Sequence, residues 1–364
     1  MSNFEKLLEG FEVDWKTLGE VAELKRGTSI TKNTSTAGKY PVISGGQQPA
    51  YFIDQFNRNG EIITVAGSGA YAGFVMYWNE PIFVSDAFSI KADESIVLPR
   101  YIHHFLLNIQ NKIHDLQSGG GVPHVYAKDV ARFMIPIPPL EIQKEIIDIL
   151  DKFTELTAEL TAELTARKKQ FEFYLMQLLT FNDNVTNLGK LEKVIKLNRG
   201  KRLVKSQLEE TGTYAVYQNS MTPLGFYHEC NVNANTTFII CAGAAGEIGY
   251  SDFPFWAADD VYYFTTPEEI NDKYLYYFLL TQQHKISSQV RRASIPRLSK
   301  DVLEKLMIPI PSILEQRRIV SILDKFEKLT NSISEGLPKE IELRKKQYEY
   351  YRDTLLSIPQ KENA

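Results

Sequence analysis

The sequence predicts an α+β protein in which two pseudo-repeated globular domains are separated by two long antiparallel helices that form a coiled-coil spacer. Three observations predict this fold: a length of 364 residues, which suits two domains, a sequence duplication, and a long apolar stripe after each copy. With 43% hydrophobic and 24% charged residues, the composition is that of a globular chain rather than a disordered one.

The duplication is read most directly from one short segment. Ile135–Pro138 has the sequence Ile-Pro-Ile-Pro and returns as Ile308–Pro311, 173 positions later. Further along, an eight-residue segment is repeated with six identities, and a basic and aromatic motif is repeated after it. These two matches pair Ile146–Phe153 with Ile319–Phe326 and Arg167–Tyr174 with Arg344–Tyr351.

The repeat boundaries divide the chain into four parts. We predict a first globular domain over residues 1–135 and a central helical spacer over 136–185. A second globular domain follows over 186–308, with a distal helical spacer over 309–364. The order is therefore globular domain, helix, globular domain, helix.

The segment after each Ile-Pro-Ile-Pro carries an apolar stripe. In the first copy, apolar residues recur at three- and four-residue steps, and Ile142–Phe181 contains no Pro or Gly, so a helix of about 60 Å is allowed. The second stripe, Ile319–Ile333, is followed by Gly336 and Pro338, which we expect to interrupt the helix. Two such helices either pair as an antiparallel coiled coil or pack separately, each on its own globular domain.

A tandem unit lies inside the first stripe. Residues Thr157–Ala166 repeat the unit Thr-Ala-Glu-Leu, and each copy adds about 6 Å of helix. The repeat is either a helix-forming filler or an adjustable ruler between the two globular domains.

Motifs for catalysis are absent from the sequence. It contains no phosphate-binding Gly-x-x-x-x-Gly-Lys-Ser/Thr loop, no His-Glu-x-x-His, no Gly-x-Ser-x-Gly and no amino-methyltransferase motif. We therefore predict no catalytic residue, no metal site and no cofactor in this chain. Gly67–Gly73 reads as a turn between strands Ile62–Val65 and Phe74–Trp78, and the adjacent His103 and His104 read as core or solvated residues.

Targeting signals are also absent. The two cysteines, Cys230 and Cys241, form no Cys-x-x-Cys pair, no apolar stretch is long enough to span a membrane, and the first residues lack a secretion signal. We therefore expect a cytoplasmic protein that has no membrane partner.

A nucleic-acid surface would have to be local, because the formal net charge is −4. Basic side chains can contact phosphates or guanine, amides can read adenine, and glycines allow a close backbone approach, although a basic run also fits an ordinary solvated surface. The candidates in the first domain are Lys25, Arg26, Gln47, Gln48, Ser118, Gly119, Gly120 and His124. Those in the second are Arg199, Lys201, Arg202, Gln218, Asn219, Arg291, Arg292 and Arg297.

The repeated arrangement resembles the specificity subunit of type I restriction-modification systems. In that family a globular domain ends in a segment like Ile-Pro-Ile-Pro, followed by Glu-Gln or nearly so and a long helix. The matching segments are Pro123–Val125, Lys128–Val130 and Ile135–Gln143, and then Pro296–Asp301, Ile308–Pro311 and Glu315–Gln316. Two departures occur: Ile142 separates Glu141 from Gln143, and the glycine-rich approach to the first match, Ser118–Gly121, becomes Val290–Ala293 in the second copy.

The resemblance implies a function in DNA recognition. Each globular domain would be a target recognition domain for one half of a bipartite, asymmetric site in double-stranded DNA, and the spacer would set the unread gap. The chain itself would be non-catalytic and would direct adenine methylation and cleavage by partner subunits.

The resemblance also implies partners on the helices. These are two methylation subunits, with restriction subunits in the full complex, and they would hold the S-adenosylmethionine, ATP and magnesium. The expected docking residues are Ile146, Leu150, Phe153, Ile319, Leu323 and Phe326. A coiled-coil scaffold that binds proteins, and the specificity chain of another split restriction system, stay open as alternatives.

Overall fold

The structure is a computed structural model that describes residues 13–181, 187–332 and 334–358. The chain divides into two compact units, which we call unit 1 (residues 1–160 with 340–364) and unit 2 (161–339). The division falls between Leu160 and Thr161, inside the tandem Thr-Ala-Glu-Leu repeat. Ile333, the last residue of the second predicted stripe, lies outside the described residues.

The strands of unit 1 are β1 (Asp14–Thr17), β2 (Ala22–Arg26), β3 (Ala37–Ile43), β4 (Phe52–Ile53), β5 (Glu61–Ala66), β6 (Val75–Asn79), β7 (Phe83–Val84), β8 (Ala87–Ala92) and β9 (Met134–Ile137). The unit is built on a four-stranded antiparallel sheet of order β2-β8-β5-β6. A smaller sheet has the order β4-β3-β7, and β1 pairs with β9, the strand of the first Ile-Pro-Ile-Pro. The helices are Leu18–Val21, Pro99–Asn108, Gln110–His114 and Ala127–Val130.

Unit 2 repeats this topology. Its strands are β10 (Asn187–Lys190), β11 (Lys196–Arg199), β12 (Tyr214–Tyr217), β13 (Gly225–Tyr227), β14 (Thr236–Ile240), β15 (Ile248–Ser251), β16 (Trp256–Ala257), β17 (Val261–Thr265) and β18 (Met307–Ile310). The four-stranded sheet has the order β11-β17-β14-β15, the small sheet has the order β13-β12-β16, and β10 pairs with β18. The helices are Leu191–Val194, Asp272–Thr281, Gln283–Ser288 and Lys300–Glu304.

Three long helices follow the Ile-Pro-Ile-Pro strands. The central helix is Leu140–Leu179, and the distal segment forms two helices, Ile313–Asn331 and Gly336–Leu356. The expected interruption at Gly336 is confirmed, since this residue has a φ of +78°, which favours glycine. Pro338 lies in the first turn of the last helix, where its missing N–H leaves no hydrogen bond unmade, so the chain starts a new helix there.

The helices take part in the core of each unit. In unit 1 the ring of Phe153 in the central helix stacks on Tyr351 of the last helix, with centroids 5.1 Å apart. In unit 2 Tyr174 of the central helix stacks on Phe326, at 5.3 Å. In each unit, part of the central helix therefore packs on part of a distal helix. Both predicted arrangements of the stripes are therefore partly right. The long helices contact each other, and they also pack on the globular domains.

The burial of four predicted docking residues corrects the docking prediction. Ile146 and Leu150 are 0% exposed inside the core of unit 1, and Ile319 and Leu323 are 0% exposed inside the core of unit 2. These side chains form the interior of the chain that carries them and have no surface to offer a partner. Phe153 and Phe326 are half-buried in the aromatic stacks described above.

A buried glutamine fixes the start of each long helix to its globular domain. Gln143 is fully buried, accepts a hydrogen bond from the Leu98 N–H at 2.9 Å, and donates to the carbonyls of Ile96 and Pro138 at 3.1 and 2.8 Å. Gln316 makes the same three contacts at the corresponding positions of unit 2, each at 2.9 Å. One side chain therefore joins the helix, the end of the Ile-Pro-Ile-Pro segment and the loop before the main helix of the domain.

We predict that Gln143→Ala lowers the free energy of unfolding by about 2–3 kcal/mol. The change leaves one buried N–H and two carbonyls without a partner, and each unsatisfied group costs about 1–3 kcal/mol before relaxation. Denaturant unfolding should show the loss, whereas Lys144→Ala, at the exposed neighbouring position, should leave the midpoint unchanged. Equal midpoints for the two variants would contradict the role given to Gln143.

A second attachment, about two turns further along the helix, differs between the two units. In unit 1 His104 Nε2 lies 2.8 Å from Asp151 Oδ1, and the Arg100 guanidinium contacts the same carboxylate at 2.8 Å. In unit 2 the Tyr277 hydroxyl donates to Asp324 at 2.6 Å. Only the attachment in unit 1 contains a histidine, the side chain whose ordinary pKa lies between pH 5 and 7.

Burial controls the protonation of this attachment. It lowers the pKa of His103 to about 3, and it also lowers the pKa of His104 even though the hydrogen bond to Asp151 acts in the opposite direction. Burial alone would raise the pKa of Asp151, but hydrogen bonds and charge from His104 and Arg100 outweigh it and lower that pKa. His103 is therefore neutral in folded unit 1 at pH 5.5, and the lowered pKa values of His104 and Asp151 favour a neutral imidazole beside a charged carboxylate.

We predict that unit 1 loses stability as the pH falls below about 6.5. The unfolded chain then binds protons at His103 and His104 more readily than the folded chain does, and for His103 the cost is about 1 kcal/mol at pH 5.5. Amide hydrogen exchange at pH 7.5 and 5.5, corrected for intrinsic rates, should show unit 1 opening more readily at the lower pH. His104→Tyr, which copies Tyr277 of unit 2, should remove part of the effect, and an equal response in both units would refute the prediction.

Candidate nucleic-acid interface

Three loops of unit 1 come together at one place. They are the β3–β4 loop (residues 44–51), the β5–β6 loop (67–74) and the 118–124 loop. The Gly69 N–H donates to the Pro123 carbonyl at 3.0 Å, and the Val125 N–H donates to the Gly67 carbonyl at 3.1 Å. Gly45 lies so close to the Ser68 carbonyl that no Cβ would fit there. Backbone contacts therefore hold the three loops as one surface, which we call the loop face of unit 1.

Unit 2 has the same arrangement. The Gly243 N–H donates to the Pro296 carbonyl at 3.1 Å, and the Leu298 N–H donates to the Cys241 carbonyl at 2.8 Å. The Ala244 N–H donates to the Asn219 carbonyl at 2.9 Å, which adds the β12–β13 loop. The loop face of unit 2 is thus formed by residues 218–224, 242–247 and 291–297.

One loop of each face is closed by a pair of backbone hydrogen bonds. Ser118 and His124 exchange N–H to carbonyl bonds of 3.0 and 2.9 Å. Arg291 and Arg297 do the same at 2.9 and 3.1 Å. Each closed loop has five residues between its bonded ends, so the backbone frame is constant although the residue types differ.

Most predicted residues of the first domain lie on this face. Gln47 and Gln48 are exposed in the first loop, and Ser118, Gly119 and Gly120 are exposed in the closed loop. Arg26, His124, Asp86 and Tyr126 line one pocket beside that loop, and the His124 and Tyr126 rings stack with centroids 6.1 Å apart. These placements leave the DNA-binding role of each residue as a prediction.

Lys25 does not share that position. It lies in β2 next to Arg26, and because successive strand residues point to opposite faces of a sheet, it lines a different pocket with Arg58 and Lys91. The Arg58 guanidinium donates to Ser89 Oγ at 2.7 Å and to the Arg26 carbonyl at 3.0 Å, and burial lowers its pKa. Sequence reasoning missed Arg58 because it stands outside any basic run.

Five of the predicted residues of the second domain lie on the loop face, and the other three, Arg199, Lys201 and Arg202, lie in or beside strands. Arg291, Arg292, Arg297 and Asn219 are exposed on the loop face, with Gln218 half-buried beside them. Arg199 donates through Nε to the Asp259 carbonyl at 2.8 Å. Lys201 and Arg202 are exposed beside the small sheet, where the Lys201 carbonyl accepts from the Trp256 indole at 3.0 Å. The arginine-rich closed loop is therefore the most basic part of this face.

The glycines of the closed loop in unit 1 have different roles. Gly119 has a φ of +115°, and a Cβ there would lie 2.9 Å from the Val122 carbonyl oxygen. Nothing lies within 4 Å of a Cβ placed on Gly120 or Gly121. Gly119 therefore fixes the loop shape, whereas the other two glycines keep the surface open for a close approach.

We predict that Gly119→Ala weakens DNA binding more than Gly120→Ala does. The Gly119 variant strains the left-handed backbone by about 1–3 kcal/mol and displaces the loop, while the Gly120 variant adds a methyl group in open space. Titration of duplex DNA into the assembled complex would measure both. If the two variants bound equally well, the shape of the closed loop would be irrelevant to binding.

Within the described residues, no helix is both long and apolar enough to cross a membrane. In the same part of the chain, no group of three or more His, Cys, Asp or Glu residues is placed to hold a metal ion.

The fold and the two loop faces define a duplicated recognition protein with a long helix after each recognition domain. The family model described as the type I restriction modification DNA specificity domain matches residues 12–167 and 186–343. The chain therefore belongs to the type I restriction-modification DNA specificity family.

Individual relatives agree with this assignment. The chain is 31% identical to the specificity subunit of the type I restriction enzyme EcoR124I/EcoR124II of Escherichia coli, over 100% of this chain and 99% of that protein. It is 32% identical to a putative type I restriction enzyme specificity subunit of Haemophilus influenzae, over 97% and 98%. The crystal structure of a type I S subunit from M. genitalium shares the fold, with a TM-score of 0.72, 21% identity and coverage of 97% and 98%.

Proposed function

We propose that this chain is the non-catalytic, DNA-reading subunit of a cytoplasmic type I restriction-modification complex. Each loop face reads one half of a bipartite, asymmetric site. Two methylation subunits modify adenine at N6, and restriction subunits cleave DNA with ATP. The S-adenosylmethionine, ATP and magnesium belong to those partners.

The repetition of the loop face is the observation that supports this function best. Two surfaces with the same backbone frame carry different side chains, Ser118 and His124 on one and Arg291 and Arg297 on the other. Base recognition depends on the donors and acceptors that a surface presents, so different side chains read different sequences. An asymmetric site follows from this difference.

Methylation mapping tests the proposal directly. The chain is co-expressed with its methylation subunit in a methylation-free host, and modified adenines are located by single-molecule sequencing. We expect a split motif with a fixed gap, and we expect deletion of Thr161–Leu164 to change the gap while both half-sites stay the same. A stable complex that methylates nothing would overturn the proposal, and altered half-sites would refute the ruler.

The charge of the second loop face gives a further prediction. Changing Arg291 and Arg292 to Ala should weaken DNA binding and reduce the slope of log affinity against log salt by up to about two units, if both contact phosphates. Changing the exposed Lys168 and Lys169 of the central helix removes the same charge elsewhere and should leave the slope unchanged. A protein-binding scaffold would show no slope in any variant.

Partner docking requires exposed side chains, which the buried stripe does not supply. Phe173 is 61% exposed and Tyr350 is 67% exposed, and they occupy equivalent positions in the repeated Arg167–Tyr174 and Arg344–Tyr351 motifs. Phe173 belongs to unit 2 and Tyr350 to unit 1. Two equivalent exposed aromatic residues suit two copies of one partner, and exposed aromatics are typical anchors of protein interfaces.

We predict that Phe173→Ala or Tyr350→Ala each removes one methylation subunit. Native mass spectrometry of the purified complex should show two subunits falling to one in each single variant and to none in the double variant. Phe253→Ala, at a 77% exposed residue after β15, serves as the control and should retain both subunits. Full occupancy in the double variant would place the docking surface elsewhere.

A further inference from the structure

Both closed loops carry an exposed branched aliphatic side chain at the same position. Val122 is 54% exposed and Ile295 is 52% exposed. Each directly precedes the proline whose carbonyl accepts from the neighbouring loop, Pro123 in unit 1 and Pro296 in unit 2. The loops otherwise differ, Ser-Gly-Gly-Gly-Val-Pro-His against Arg-Arg-Ala-Ser-Ile-Pro-Arg. An apolar side chain is therefore exposed at the same position of two loops whose other residues have diverged, which indicates that it contacts a partner.

The position is rigid as well as exposed. The Val122 carbonyl lies 2.7 Å from His124 Nδ1, and the backbone pair between Ser118 and His124 closes the loop around it. In unit 2 the pair between Arg291 and Arg297 closes the loop around Ile295. A β-branched side chain has few χ1 rotamers, so little conformational entropy is lost when it is covered.

The surroundings indicate nucleic acid as the partner. Ile295 is flanked by Arg291, Arg292 and Arg297, which attract a polyanion and disfavour an apolar protein surface. Val122 lies in the loop beside Gly120 and Gly121, whose open surface permits close backbone approach. An aliphatic group among hydrogen-bonding side chains matches one apolar feature of the major groove, the C5-methyl group of thymine.

We infer that Val122 and Ile295 are specificity-determining residues, each of which packs on a thymine methyl group in the half-site read by its own unit. The inference rests on the proposed function and adds to it one kind of contact, the packing of an aliphatic side chain on a base. The side chain of Val122 is too short for insertion between base pairs, a role filled by larger side chains, so a contact at the base edge is the mode that both units can share.

Thymine-to-uracil substitution tests the inference, because it removes only the methyl group. Once mapping has given the two half-sites, affinities of the assembled complex are measured for duplexes with uracil at each A·T pair. The native chain should lose about fourfold in affinity at one thymine in each half-site, the size expected for one buried methyl. Val122→Ala should abolish that sensitivity in one half-site and Ile295→Ala in the other.

The controls separate this inference from the proposed function. Met134→Ala and Met307→Ala remove exposed apolar side chains at equivalent positions of β9 and β18 and should preserve both uracil effects. Insensitivity of the native complex to every uracil, or unchanged sensitivity in both alanine variants, would overturn the inference while specific methylation still supported the function. A complex that neither binds nor methylates DNA would instead overturn the proposed function.

Discussion

The buried hydrogen bonds of Gln143 and Gln316 are the constraint on which the rest of the architecture depends. Through three hydrogen bonds, each glutamine ties two backbone segments to the first turn of a long helix, in a place where water cannot replace the lost bonds. The tyrosine hydroxyls of Tyr101 and Tyr274 strengthen the same junctions by donating to the carbonyls of Pro136 and Pro309, at 3.0 and 2.9 Å. The direction in which each helix leaves its domain is thereby fixed by a polar core rather than by apolar contact alone.

The same frame holds different chemistry in the two units. The attachment of Asp151 by Arg100 and His104 becomes an attachment of Asp324 by Lys273 and Tyr277. The carboxylate and a cation are kept while the uncharged partner changes, so each half-buried carboxylate has both a charged and a hydrogen-bonding partner. The loop faces follow the same rule, since their backbone bonds are kept while their side chains diverge. Specificity can therefore change without a change of fold.

The sequence predicted the repeat, the long helices, the break at Gly336 and the turn between β5 and β6, because each leaves a local signature. It could not predict which surface covers the apolar stripe, since an amphipathic pattern shows that a face is buried but not by what. The stripe therefore does not distinguish a partner from the chain itself, and Ile146 and Leu150 pack inside unit 1. Likewise, a basic pair such as Lys25 and Arg26 reads as one patch in sequence but is divided by the alternation of β2.

The discontinuity of unit 1 has a consequence for synthesis on the ribosome. Unit 2 is one continuous stretch of chain, whereas unit 1 is completed by most of the last helix, Gly336–Leu356, and the hydrogen bond between His104 and Tyr348 spans 244 positions. Domains usually complete folding in the order in which they emerge, and contacts distant in sequence form slowly. The first domain of this chain therefore keeps an apolar surface exposed until the last helix has been synthesised. A chain truncated just before residue 340 would therefore have a complete second domain, whereas its first domain would stay accessible to chaperones and proteases.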